Sequence, residues 1–284
     1  MNEIMYDQNS LLISAILLVS MLLAIETGYR LGRRDEPRTN ESSRAHVGAI
    51  QASLLGVLAL LLGFTFSLSL QRFDSRSAAV VDEANAVGTA YLRAQLLQES
   101  IRGEVMKLLR RYVDLRVRAG AVALDREAQR ATIIAKTNKV LDDLWGYARR
   151  AADEDGRAVT AGLFIQSLNE LIDSYGRRDA ALSRHVPELV LFLLFGTFLM
   201  TGGVVGYAAG VAGHRASIVT YILVILIVIL TFIIIDLDRP RRGLIRVSQS
   251  SLIELGTAID AAQSAGVLGR VPVDVPRPAV TGRR

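Results

Sequence analysis

The 284-residue chain has no cysteine. Disulfides, thiolate nucleophiles and cysteine metal sites are therefore excluded. Histidine is nearly missing too. His46, His185 and His214 each border an apolar run, as residues at interfacial helix ends do. The sequence holds no His-Glu-x-x-His, no Gly-x-Ser-x-Gly and no phosphate loop closing on Lys-Ser or Lys-Thr. Hydrolysis and group transfer have nothing to stand on, so a non-enzyme without cofactor or metal is expected. Lys107, Lys136 and Lys139 are the only lysines, and arginine carries the remaining positive charge.

Net charge is +5 and the pI is about 9.7. Nucleic acid is still not the expected partner, because zinc ligands, a recognition helix and aromatic–basic interleaving are all lacking. Strand-like alternation of useful length is lacking as well. What is plentiful is apolar: 51% of residues are hydrophobic and mean hydropathy is +0.32. This apolarity is gathered into four blocks between arginine-rich segments, the pattern of a multi-pass protein in a lipid bilayer. A basic balance then fits flanks at an anionic lipid surface.

The expected architecture is all-α. It is a four-span transmembrane helical protein with a helical soluble domain inserted between spans 2 and 3. The first hairpin is 1–70, with spans at about 9–31 and 47–70. No basic start or small-residue cleavage site marks a secretory signal, so the first span reads as uncleaved. Glu26 and Arg30 are spaced for an interfacial i,i+4 pair. The second span carries Gly48, Gly56 and Gly63, small residues that let neighbouring helices approach. It has no proline or turn cluster after it, so one helix is expected to leave the membrane and run on to about Leu97.

Residues 71–186 show helical periodicity without a span-length apolar run. Val105, Leu108, Leu109 and Tyr112 fall on one face, as do Val140, Leu141, Leu144 and Ala148, and then Phe164, Leu168, Leu171 and Ile172. Breaks are expected near 98–103, 119–123 and 153–156. Asp153–Asp155 lack the ligand spacing of a calcium loop and read as a solvated turn. The second hairpin, 187–236, has spans at about 187–211 and 217–235. Gly202, Gly206 and Gly210 repeat every four residues and predict close helix contact. An amphipathic helix is expected over 244–264 within the exit segment 237–264, and a disordered tail over 265–284.

Leu60 and Phe64 stand i,i+4 on the second span. Such a pair repeated around an oligomer axis forms a constriction able to gate by dewetting. From spacing alone, contact with lipid or a neighbouring helix is the preferred reading. Asp82, Glu83, Asn85 and Arg93 lie among small residues, which predicts tight packing and interhelical polar pairing. Asp236, Asp238, Arg239, Arg241 and Arg242 form a second charged knot. Its arginines suit anionic head groups or the acids at 82–83. Arginines near the span ends total more on the 71–186 side. Their density in the short loops and the acidic N-terminus favour the reverse, so charge leaves orientation open.

Two motifs carry a resemblance. EANAVGTAYLRAQLL (83–97) and DLDRPRRGLIRVSQ (236–249) resemble the bestrophin-like domain family of bacterial membrane proteins, over nearly the whole chain. LLGFTFSLSLQRF (61–73) is similar, over a shorter stretch, to the second-helix segment of true bestrophins. The resemblance implies a bacterial inner-membrane protein with both termini and the 71–186 domain cytoplasmic. It implies a homo-oligomer, a pentamer, around a pore for anions such as chloride. Leu60 and Phe64 would be neck residues. Gly56 would fall at the next neck position and offer no side chain, and Arg72 would sit at the cytosolic exit. Glu83, Asn85 and Arg93, with Asp236, Asp238, Arg239 and Arg242, are the charged or polar members of the motifs. The chain lacks the double aromatic after the arginine and the acidic calcium clasp of animal bestrophins, so calcium gating is not implied. The alternative is a non-conducting scaffold or sensor whose helical domain binds a partner.

Overall fold

The computed structural model describes residues 9–122, 126–155, 157–239 and 244–264. Among the described residues there are helices and no strand. The helices are α1 (Ser10–Asp35), α2 (Glu41–Ala94), α3 (Glu99–Ala121), α4 (Glu127–Glu154), α5 (Leu163–Ser183), α6 (Glu188–Val211), α7 (Ile218–Asp238) and α8 (Ser250–Ser264). Four of them, α1, α2, α6 and α7, are long and apolar enough to cross a membrane. The chain divides into two compact units, Met1–Asp74 with Arg184–Arg246 and Ser75–Ser183 with Val247–Arg284. Helix α2 runs unbroken for 54 residues and contributes to both.

The first unit is built on α1 and α6. Asn9 caps α1 by accepting from the Leu11 amide at 2.9 Å. Arg33 and Arg34 lie in its last turn, where the helix dipole favours cations. Arg30 pairs with Glu26 at 2.8 Å, as their spacing predicts. Pro187 opens α6, and Gly213 closes it at φ +81°. There the His214 amide bonds to Ala209 and the Gly213 amide to Gly210, a Schellman ending that turns the chain tightly into α7. Thr65, Thr201 and Thr231 donate to carbonyls four residues back, so their hydroxyls are satisfied without water. The core joins Leu17 and Met21 of α1, Leu58 and Leu62 of α2, Phe198 of α6 and Ile227 of α7.

The glycines divide in two. Gly202, Gly206 and Gly210 of α6 meet the backbone of α1, as their four-residue repeat predicts. Gly48, Gly56 and Gly63 of α2 do not: a methyl group added at any of them would find no atom within 4 Å. Among the described residues no helix approaches them closely, and all three are exposed.

The second unit packs α3, α4, α5 and α8 against the continuation of α2. Its core includes Val87 and Tyr91 of α2, Leu109 of α3, Leu144 of α4, Leu168 of α5 and Ile259 of α8. The first break comes earlier than expected, at 95–98, because Gln98 is extended and the helix restarts on Glu99, an acid suited to a first turn. The turn after α4 holds Asp155, which accepts from Arg157 and Thr160, a local cap and not an ion site. Helix α8 starts at Ser250, not at Leu244. Residues 244 and 245 are held instead through their amides by the Asp236 carboxylate, at 3.0 and 2.8 Å.

Candidate ion path and its charged anchors

Counting by threes and fours from Gly56 gives Leu60, Phe64, Ser67, Gln71, Asp74, Ala78, Asp82, Asn85 and Thr89. On an α-helix these share one side. Every one of them is exposed. The opposite side is buried, through Leu58, Leu62 and Ser69 in the first unit and Val80, Glu83 and Val87 in the second. Leu60 and Phe64 are 59% and 66% exposed. The structure therefore brings Gly56, Leu60 and Phe64 together on an exposed face of α2. It also extends that face through Ser67, Gln71 and Asp74, which sequence reasoning missed. The signal was available, because the count that links Leu60 to Phe64 simply continues.

Arg72 does not share this face. It turns towards Asp238, with Nη1 at 3.8 Å from Oδ1. Asp238 is buried, and its other oxygen accepts the Val186 amide at 2.9 Å, fixing the chain just before α6. Asp236 holds the amides of Leu244 and Ile245. Arg239 is 4% exposed and donates to Ser10 Oγ at 3.1 Å. It is thus turned inward to the start of α1. Asp236, Asp238 and Arg239 form a knot that ties the end of α7 to α1, α2 and the entry to α6. Arg241 and Arg242 lie outside the described residues, as do Glu3, Asp7 and the 265–284 tail.

Glu83 and Asn85, two residues apart, face opposite ways. Glu83 is fully buried in the second unit. Its carboxylate accepts from Tyr112 and Arg116 of α3, each at 2.5 Å, and from Arg178 of α5. Arg178 also donates to Gln249 at 2.6 Å, and Arg116 lies 4.6 Å above the Tyr175 ring. Burial pushes the Glu83 carboxyl up, but Arg116, Arg178 and the hydrogen bonds outweigh it and hold the group below its ordinary value. Burial and the Glu83 charge push the Tyr112 phenol well above its own. The partners came from positions 29 to 95 residues away, which no local pattern identifies.

Asn85 is exposed and lines an open cleft of about 640 Å³ between α2 and α5. Asp82, Thr89 and Arg93 line it from α2, and Glu170 and Arg177 from α5. Arg93 donates to the Leu163 carbonyl at 2.9 Å, and Arg177 pairs with Glu170. Among the described residues no three His, Cys, Asp or Glu side chains gather to hold a metal. The charged motifs thus divide into inward anchors and an outward face, and neither is an acid–base constellation.

Comparison with known proteins supplies a family. The profile of the Bestrophin-like domain matches residues 16–252. No curated protein matches the chain by sequence. Among solved structures, a point mutant of a bacterial bestrophin homologue from Klebsiella pneumoniae superposes with a TM-score of 0.61 at 17% identity, covering 88% of this chain and 98% of its own. A second mutant of a bestrophin homologue from that organism gives 0.58 at 16% identity, over 87% and 98%. A structure described as a membrane protein gives 0.57 at 17%, over 88% and 99%. These identities establish a shared fold, and the profile covers most of the length with both motifs inside it. The chain belongs to the bestrophin-like family of membrane proteins.

Proposed function

We propose that copies of this chain assemble around an axis so that their α2 helices line an ion-conducting path, with Leu60 and Phe64 as its apolar neck. The observation that supports it is the outward face of α2. A lipid-facing stripe is bulky, as on α7, where Ile222, Leu226 and Ile229 are exposed. The α2 face instead sets Gly56, Gly63 and Ser67 around Leu60 and Phe64, then turns polar at Gln71. Small and hydroxyl residues gain little from lipid, whereas a narrow path needs them. The family resemblance supports a pentamer in a bacterial inner membrane, with the termini and the second unit cytoplasmic. It also supports anions such as chloride as the permeant species. Arg72, which would have favoured anions at the exit, is engaged with Asp238 instead.

The test is flux through purified protein in liposomes, with the mass of the assembly measured in nanodiscs. A hydrophobic neck gates by excluding water. Phe64→Ala widens it and is expected to raise flux several-fold over wild type. A monomeric particle with no flux in either form would overturn the reading. It would leave the second, a scaffold that receives a partner in the Asn85 cleft.

A further inference from the structure

We infer that a groove between α1 and α6 holds one acyl chain of an anionic phospholipid, with Arg34 receiving its phosphate. Both helices belong to the first unit, and the inference holds whether or not α2 lines a path. The groove has a volume of about 520 Å³. Ala24 and Gly28 of α1 line it, with Gly203 of α6. A Cβ at Gly28 would lie 2.0 Å from the Gly203 oxygen, so the two backbones touch there. A Cβ at Gly203 would meet no atom within 4 Å, so the space beside that contact stays open. Leu23, Leu31 and Leu199 also line the groove, and each is exposed.

Depth and charge together identify the occupant. From Ser20 to Leu31 the groove follows α1 for about 16 Å. That is close to one leaflet of a hydrocarbon core about 30 Å thick. Its hydroxyl groups are already committed. Ser20 and Thr27 donate to the Ile16 and Leu23 carbonyls, each at 2.7 Å. The Tyr207 phenol donates to Asp35 at 3.0 Å. The groove is therefore apolar along its length and suits a hydrocarbon chain. Charge enters at its end. Counting by fours and threes from Ser20 gives Ala24, Thr27, Leu31 and Arg34, which share one side of α1. Arg30 and Arg33 are paired, with Glu26 and Glu36. Arg34 is exposed and has no hydrogen bond or ion pair with any described residue. Asp35, the acid beside it, accepts the Tyr207 hydroxyl. An open guanidinium at the end of an apolar groove one leaflet long fits a phosphate with a chain running down from it.

The experiment is native mass spectrometry of the full-length protein in detergent, with phosphatidylglycerol and phosphatidylcholine supplied in equal amounts. Wild type is expected to retain phosphatidylglycerol in preference. One arginine near an anionic head group is worth a factor of about five, so Arg34→Gln is expected to lower that preference about fivefold. Arg34→Lys keeps the charge and is expected to keep the preference. Gly203→Leu places its side chain in the groove and is expected to lose bound lipid of both kinds. Arg34 is exposed, so its substitutions test the inference even if Gly203→Leu does not fold. Equal retention of the two lipids by wild type would overturn the inference, as would a preference unmoved by Arg34→Gln. Undiminished phosphatidylglycerol on folded Gly203→Leu would overturn the groove as the place where the chain lies.

Discussion

Glu83→Gln is expected to cost about 3–5 kcal/mol of stability in the second unit, read as a lower thermal midpoint of the purified protein in detergent. The carboxylate is fully buried, and two buried guanidinium groups depend on it. An amide can still meet Tyr112, but it leaves Arg116 and Arg178 as like charges without a counter-ion. The pair of arginines is then the cost, more than the lost hydrogen bonds. Replacing all three by methionine is accordingly expected to cost less than Glu83→Gln alone, because no uncompensated charge stays behind. Acid separates this from a packing defect. Folding lowers the Glu83 pKa, so the native state binds its proton less readily than the unfolded chain. Its contribution is full above the ordinary value of 4.5 and is lost as pH falls through the lower folded value. The gap between wild type and Glu83→Gln is expected to close as melts are taken at steps below pH 4.5. A gap that persisted in acid would assign the effect to shape and not to charge.

Residues whose partners are near in sequence, or whose neighbour is simply lipid, were the legible ones. Apolar block length marks the spanning helices, and the Gly202–Gly206–Gly210 repeat marks the contact with α1. Charge was harder to read. Arg72 and Phe64 are eight residues apart, and both are typical of a membrane exit. Only the position of Asp238, brought in from α7, decides that Arg72 turns inward. Glu83 and Asn85 read as one polar cluster, yet a strip of helix separates the core from the open cleft. Spacing tells which residues share a face, but not which face a neighbour covers. The outer stripe of α2 needed both, since its glycines match packing glycines in type and differ only in having nothing opposite them.

Gly206→Ala is expected to prevent the first unit from closing, at a cost of about 3 kcal/mol or more. A Cβ there would sit 2.0 Å from the Ile25 carbonyl oxygen, and at Gly210 2.4 Å from that of Tyr29. The contact is reciprocal. On α1, a Cβ at Gly28 would lie 2.0 Å from the Gly203 oxygen and at Gly32 2.2 Å from the Tyr207 oxygen. The two backbones interlock, so neither helix can slide to make room without losing the next glycine contact. In a membrane this matters more than in water, because lipid offers no hydrophobic gain to hold displaced helices together. Gly196 supplies the control. It lies on the same helix with no atom within 4 Å of an added Cβ. Gly196→Ala is expected to leave the midpoint unchanged or raise it, alanine being favoured over glycine in a helix by up to about 1 kcal/mol. Equal loss from both substitutions would show that α6 tolerates no change at all. Loss at Gly206 alone would show that the α1–α6 backbone contact holds the first unit, and with it the position from which α2 presents Leu60 and Phe64.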